Sequence, residues 1–324
     1  MPDVKWGIIS TAHINRLFLA GAREARGVEI FAVASRDRAH AQQYARENDI
    51  PAAFGSYDEL LADPDVEAVY IPLPNSMHVE WSIRALESGK HVLCEKPLSR
   101  HPREVQRAFD VAEREKRLLM EAFMYRHHPQ TRRLVELIDE GAVGRVRVIR
   151  AAFGFVAHDP ANVRLQSGLD GGGLMDLGCY CVSAARLIAG EPERVSAEQV
   201  TGGDGVDVVF AATMRHRDEV LAHFDVGLVY NSRDLLEVVG DAGSLLLEDP
   251  WHCRKPLIQL RREDGTEQIE IERANSYRLE AENLSAAVRG DATPLLGRAD
   301  ALGQARAIEA LYRAADSGQY VTLT

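Results

Sequence analysis

The first third of the chain alternates short apolar runs with amphipathic stretches, and few folds accept that alternation. It is the pattern of βαβ units building a parallel sheet. Strands are expected over residues 6–9, 30–34, 68–71, 91–94 and 118–122, where Trp6, Ile30, Ala68, His91 and Leu118 open the runs. Helical patterns fall at about 40–48, 78–88 and 102–116, and Pro102 suits a first helical turn.

After Ala122 the grammar changes. A helix is expected near 130–140, a long alternating strand at 146–155, then a glycine-rich loop and a helix to Ile188. From Pro192 to about Ile271, β-rich segments at 206–214, 220–226, 235–239 and 244–247 are separated by turn signals that suit antiparallel meanders. Helices near 277–289 and 298–317 close the chain. A length of 324 residues accommodates two domains. The expectation is an α/β protein: residues 1–122 form a dinucleotide-binding Rossmann domain with a parallel sheet. Residues 123–324 form a substrate-binding and dimerisation domain with a large, open, mostly antiparallel sheet. An open sheet with helices on one side leaves a face to cover, and a second copy of the chain is the expected cover, giving a homodimer.

Charge narrows the partners. With 38 basic against 49 acidic residues the formal charge is -11, which disfavours nucleic acid and favours a small or neutral substrate. No apolar run approaches the roughly 20 residues that cross a bilayer. The segment Met1 to Ser10 lacks the sections of a signal peptide, so no membrane association and a cytoplasmic location are expected. Cys94, Cys179, Cys181 and Cys253 are then expected as reduced thiols, and Cys179 and Cys181 lack a second pair at zinc-ligand spacing, so no metal is expected. His127 and His128, beside Pro129, read as a helix start.

Candidate cofactor residues follow the expected strands. The segment from Gly7 to Asn15 occupies the place of a dinucleotide fold's glycine-rich turn, with Ser10 and Ala12 standing for its first two glycines and Thr11, His13 and Ile14 completing it. Both are small enough for a pyrophosphate to approach the backbone; a plain Ser-Thr-Ala helix cap is the alternative. The next strand ends Ala34-Ser35-Arg36-Asp37-Arg38, where an NAD enzyme places an acidic residue against the ribose. Ser35 and Arg36, with Arg38 in the same basic turn, suit a 2′-phosphate instead. That favours NADP, with NAD possible, over a merely solvated turn.

Three further motifs stand in order: Glu95-Lys96-Pro97, Glu121-Ala-Phe-Met-Tyr125 and Gly171-Gly-Gly-Leu-Met-Asp176-Leu-Gly-Cys-Tyr180. Together they resemble the glucose-fructose oxidoreductase (Gfo/Idh/MocA) family of NAD(P)-dependent enzymes across essentially the whole chain. Many members carry histidine at the place of Tyr180. The chain is similar to the tyrosine-bearing branch, close to dimeric dihydrodiol dehydrogenase and NADP-dependent D-xylose dehydrogenase.

The resemblance implies hydride transfer between nicotinamide and a hydroxyl-bearing carbon, with Tyr180 taking the hydroxyl proton. A free tyrosine titrates near about 10, and an adjacent Lys96 ammonium favours its phenolate. Asp176, four residues before Tyr180, shares a helical face with it and accepts from a sugar hydroxyl or orients Lys96. Leu73, Asn75 and His78 are expected to border the nicotinamide, with Asn75 the foremost contact and the start of the next helix the alternative for His78; Glu95, Lys96 and Pro97 are expected to contact the cofactor as well. Phe153, Phe155 and Arg164 are expected near the substrate; for the two phenylalanines core packing is the equal alternative. The expected reaction is dehydrogenation of a cyclic polyol, either an aldopyranose such as D-xylose at C1 or a trans-dihydrodiol. Reduction of a keto-sugar is the second reading, and a non-catalytic NADP-binding sensor the third.

Overall fold

The computed structural model describes residues 2–323. They divide into two compact units: residues up to Ser99 with Arg103–Met124 and Asn275–Ala301, and Arg100–Pro102 with Tyr125–Ala274 and Leu302 onward.

The first unit holds a six-stranded parallel sheet in the order β3-β2-β1-β4-β5-β6. Its strands are β1 (Val4–Ile9), β2 (Val28–Ala34), β3 (Ala52–Phe54), β4 (Ala68–Ile71), β5 (His91–Cys94) and β6 (Leu119–Glu121). This is the doubly wound Rossmann arrangement, with its order reversing between β1 and β4. The central strands are buried on both faces, as parallel strands under helices must be: Trp6, Ile8, Val69, Tyr70, Val92 and Leu93 expose nothing. Helices α1 (Asn15–Ala22), α2 (Arg38–Glu47), α3 (Tyr57–Ala62), α4 (His78–Glu87) and α5 (Pro102–Arg114) accompany the sheet. In α5 the buried Val105, Ala108, Phe109 and Ala112 recur at helical spacing. Asp37 caps α2 by accepting from His40 N–H at 2.6 Å, and Ser56 caps α3 through Glu59 N–H at 3.2 Å. β3 and α3 have no counterpart among the expected ranges, because three strand residues and a helix of six are too short to declare a period.

One late segment belongs to this unit. Helix α8 (Ser276–Val288) packs on α1, and a Cβ at Gly21 would meet the Arg278 backbone nitrogen at 2.5 Å, so only glycine permits the approach. Trp6 Nε1 donates to Ser285 Oγ at 3.0 Å, and Arg289 pairs with Glu67 at 2.8 Å. The compact units therefore differ from a single cut after residue 122. The apolar stripe of α8, including Ala281 and Leu284, is buried in the first unit's core rather than the second's.

The second unit is built on a nine-stranded sheet ordered β14-β13-β12-β11-β7-β10-β9-β8-β15. The strands are β7 (Val146–Val156), β8 (Pro192–Thr201), β9 (Asp207–His216), β10 (Leu221–Gly227), β11 (Val229–Gly240), β12 (Ser244–Leu247), β13 (Leu257–Arg262), β14 (Gly265–Glu270) and β15 (Val321–Thr322). All neighbours run antiparallel except β7 and β10. Its helices are α6 (Pro129–Asp139), α7 (Cys179–Ala189) and most of α9 (Arg298–Ser317). His128 caps α6, its Nδ1 accepting from Gln130 N–H at 3.0 Å. Burial alternates over residues 210–216 of β9 and 221–224 of β10: Phe210, Ala212, Met214, Ala222 and Phe224 face the core, while Ala211, Thr213, Arg215, Leu221 and His223 are exposed. Among the described residues no helix is long and apolar enough to cross a membrane.

Candidate active site

The turn after β1 is made by residues that replace glycine at a cost. Ser10 has φ 107°, a conformation that costs a non-glycine residue about 1–3 kcal/mol. Asn15, fully buried and not among the expected site residues, holds it by donating Nδ2–H to the Ser10 carbonyl at 2.8 Å. Ser10 Oγ accepts from Ala12 N–H at 3.3 Å, and Thr11 Oγ1 lies 3.0 Å from His40 Nε2. Ile14 precedes α1 with no side-chain cap, which leaves the helix start open to an anion. At the end of β2, Ser35 is buried and Arg36 exposed. Arg38 instead pairs with Glu59 at 2.5 Å, so Arg36 is the cation of this turn without an acidic partner among the described residues. A dinucleotide with an extra phosphate fits this charge pattern.

The Glu95-Lys96-Pro97 segment follows β5, and its Lys96–Pro97 peptide is cis. It is held from several sides. Tyr70 Oη donates to Glu95 Oε1 at 2.6 Å, and Leu98 N–H donates to the buried Glu121 carboxylate at 2.7 Å. Glu121 opens the second of the three motifs, so the two motifs meet through this bond. Glu280 of α8 is fully buried near Glu95, and burial, then that neighbouring carboxylate, push its own carboxyl well above the usual range.

His78 opens α4, the second of its two expected roles. It is fully buried, with Nδ1 2.8 Å from the Pro97 carbonyl and Nε2 2.7 Å from the Leu73 carbonyl. Burial, aided by the Lys96 charge against those carbonyls, holds the imidazole down at about 4. It clasps the lysine loop and presents no free nitrogen to a ligand. Leu73 is likewise buried, whereas Asn75 begins a short 3₁₀ turn of partly exposed residues.

In the second unit, Gly171-Gly172-Gly173 leads into one turn of π-helix, Leu174–Gly178, which continues as α7. The expectation of a plain α-helix is refined here; single π-turns are frequent at functional sites. The start of this turn rests on Asp207, a residue the sequence did not single out. Asp207 Oδ2 accepts from Leu174 N–H at 2.6 Å, and Oδ1 accepts from Tyr312 Oη–H at 2.9 Å. A Cβ on Gly172, whose φ is +124°, would overlap Asp207 Oδ1. Burial raises the Asp207 carboxyl to about 6 against these hydrogen bonds. Beside it, Arg100 pairs with Asp170 at 3.1 Å and lies over the Tyr312 ring.

Asp176 and Arg164 are joined, Nε donating to Oδ2 at 2.5 Å, and the Arg164 guanidinium lies 5.8 Å from the Phe155 ring centre. Tyr180 sits in an aromatic group: its ring centre is 5.5 Å from Phe153, 5.7 Å from Tyr125 and 5.9 Å from Trp251. Phe153 is itself buried, so it serves as a wall. Trp251 Nε1 donates to the Ala152 carbonyl at 3.0 Å, and His252 meets the Phe153 ring edge-to-face at 5.5 Å. Neither Trp251 nor His252 was expected; both lie in a loop after β12 with no periodic pattern. Among the described residues, one group of three metal-ligating side chains occurs, Asp234, Asp249 and His252, with donor atoms within 4.8 Å of one another. The two cysteines Cys179 and Cys181 are separately buried in α7.

The sheet order and the loops at its strand ends define a Rossmann unit of the nucleotide-binding kind. Residues 4–123 match the family model described as "Oxidoreductase family, NAD-binding Rossmann fold", and residues 131–246 match the GFO/IDH/MocA C-terminal domain. The chain belongs to the GFO/IDH/MocA family of oxidoreductases. It is 37% identical to D-xylose 1-dehydrogenase (NADP(+)) 2 of Haloferax volcanii over 98% of this chain and 99% of that protein. It is 34% identical to human trans-1,2-dihydrobenzene-1,2-diol dehydrogenase over 79% of this chain and 77% of the relative. Among solved structures, a 3-ketoreductase from Actinomadura kijaniata in complex with NADP and TDP-benzene superposes with TM-score 0.91 at 31% identity, covering 96% of this chain and 98% of that one. Other structures of the same ketoreductase carry a tyrosine replaced by phenylalanine, or a lysine replaced by alanine or glutamate.

Proposed function

We propose that the chain is a cytoplasmic, NADP-dependent dehydrogenase of a cyclic polyol, an aldopyranose oxidised at C1 or a trans-dihydrodiol, with Tyr180, Lys96 and Asp176 as its catalytic group. The observation that carries the reading is Tyr180, held by three aromatic rings on the π-turned helix that also bears Asp176. In the ketoreductase, the replaced lysine and the replaced tyrosine are separated by as many positions as Lys96 and Tyr180 are here.

A bound NADP would supply the hydride chemistry. Ser10, Thr11, Ala12, His13 and Ile14 would take its pyrophosphate, and Ser35 and Arg36 its 2′-phosphate. Tyr180 accepts the hydroxyl proton of the alcohol as the carbon is oxidised, and Lys96 donates to the same substrate oxygen, its positive charge favouring the proton's departure. Asp176, oriented by Arg164, accepts from a second hydroxyl. Run in reverse, the same residues protonate the oxygen of a keto-sugar; the likeness to the 3-ketoreductase favours that second reading.

The test is NADPH formation against D-xylose, D-glucose, other aldopyranoses and a trans-dihydrodiol, with NAD in parallel. Saturable turnover with one class, and tighter binding of NADP than NAD, are expected. Tighter NAD binding overturns the role given to Arg36. Silence across the panel with NADP bound moves the reading to the ketoreductase.

The chain acts as a homodimer in this reading, with the exposed face of the nine-stranded sheet covered by a second copy. That face mixes small, apolar and charged side chains, as Ala211, Leu221 and Arg215 illustrate. Light scattering coupled to size exclusion should give twice the chain mass at micromolar concentration; monomer alone removes this part of the proposal.

A further inference from the structure

The mechanism leaves one polar side chain on the aromatic wall unused. His252 belongs to the loop between β12 and β13, whose neighbours Trp251 and Cys253 are buried, whereas the His252 side chain is 28% exposed. The loop is pinned throughout. Trp251 Nε1 is bonded to β7, Asp249 Oδ2 accepts from the N–H groups of Arg254 and Lys255 at 2.6 and 3.0 Å, and Gln130 of α6 donates to the Asp249 carbonyl and accepts from Leu257 N–H. A side chain on such a loop is held in place before any ligand arrives, the condition for selective recognition.

Its orientation is fixed as well. His252 Nδ1 lies 3.2 Å from Asp234 Oδ2, and Asp234 stands opposite Phe153 in the pairing of β11 with β7. A carboxylate can only accept, so Nδ1 carries the proton and Nε2 of the neutral ring is left with its lone pair. No described group donates to Nε2. The ring therefore offers a hydrogen-bond acceptor beside Phe153. Tyr180 touches the same Phe153 ring at the same 5.5 Å spacing, so the two ring centres are no further apart than twice that distance. That bound is compatible with a six-membered sugar ring taking a hydrogen bond of about 2.8 Å at each end.

We infer that His252, oriented by Asp234, is a specificity-determining residue that accepts a hydrogen bond from a sugar hydroxyl remote from the reacting carbon, and so selects pyranoses over dihydrodiols. A trans-dihydrodiol carries its two hydroxyls on adjacent carbons and has none to reach His252 while the other reacts at Tyr180. This deepens, and rests on, the polyol reading of the site. A divalent cation held by Asp234, Asp249 and His252 is the competing use of these atoms; the carboxylates' existing bonds to His252 Nδ1 and to two backbone N–H groups count against it.

The test combines calorimetric binding, in the presence of NADP, with steady-state kinetics for wild type, His252→Phe and His252→Gln. The glutamine places an acceptor where Nε2 stands. For the preferred pyranose, His252→Phe should raise Kd and KM about 10-fold with kcat within about threefold, and His252→Gln should recover part of the loss. One singly deoxygenated analogue should bind wild type as weakly as the parent sugar binds His252→Phe, the two losses not adding. The KM for a trans-dihydrodiol should stay unchanged. Equal losses on both substrate classes, or none on the sugar, overturn the inference while sugar turnover by wild type leaves the polyol reading standing. Absence of any sugar binding by wild type overturns both. Activity lost to a chelator and restored by zinc also overturns it, since a metal would occupy His252.

Discussion

Replacing Tyr180 by phenylalanine is expected to lower kcat by about 10²- to 10⁴-fold, the usual range for a positioned proton-transfer group, while NADP affinity changes less than about twofold. The substitution is close to a pure deletion of the hydroxyl. Tyr180 is 7% exposed and packs by its ring against Phe153, Tyr125 and Trp251, contacts that a phenyl ring keeps. Stopped-flow measurement of NADPH formation, with a thermal melt in parallel, separates chemistry from folding. A variant as fast as wild type and equally stable would remove Tyr180 from the reaction, whereas a slow variant with a lowered melting temperature would return the question to packing.

The second large effect is expected at Asp207, which touches no substrate in the proposed chemistry. Asp207→Ala removes the acceptor of Leu174 N–H and of Tyr312 Oη, and a buried donor left without a partner costs about 1–3 kcal/mol. With two such groups, a loss of about 2–4 kcal/mol in unfolding free energy is expected, together with a fall of at least about tenfold in kcat, because Asp176 and Tyr180 ride on the turn that Asp207 holds. Asp207→Asn should be mild: its Oδ1 can still accept from Leu174 N–H while its amide donates to Tyr312. The pair of variants carries a pH signature too. The folded carboxyl titrates near about 6, above its unfolded value of about 3.8, so folding takes up a proton between them. The stabilisation from the protonated acid is complete below about 3.8 and is lost as pH rises through about 6. Melting temperatures of wild type should therefore fall relative to Asp207→Asn over that window and run parallel above it. Parallel curves throughout would show that the carboxyl does not titrate as its burial requires.

The sequence made the parallel sheet legible because strands buried on both faces read as unbroken apolar runs; Ala68-Val-Tyr-Ile71 and His91-Val-Leu-Cys94 could hardly be anything else. The Glu95-Lys96-Pro97 and Glu121–Tyr125 motifs were legible for a related reason, since they stand at the ends of β5 and β6. What escaped was contact between distant positions. Asp207 begins an ordinary-looking strand, and nothing near it announces that it will support the glycines at 171–173. His78 looked like a ligand residue because it follows β4 at the sheet's carboxyl edge, yet its neighbours in space, the Leu73 and Pro97 carbonyls, turn it into a clasp. Arg38 looked equivalent to Arg36 until Glu59 of α3, a helix too short to be read, drew it aside. Trp251 and His252 lie in a loop where no period exists to be followed, and only the fold brings them beside Phe153.

The return of α8 to the first unit alters how that unit can come into being. The six strands are complete once residue 121 has been synthesised, but the helix that seals Trp6, Gly21 and α1 is encoded some 150 positions later. On a ribosome the nucleotide-binding half must wait, with an apolar flank uncovered, until nearly the whole polypeptide has emerged. The two halves cannot be exchanged between relatives by a single crossover in the middle of the gene, because the first half's last helix would stay behind with the second. Shuffling of this architecture has to move two pieces of chain together, which ties the inheritance of the nucleotide-binding half to that of the second unit.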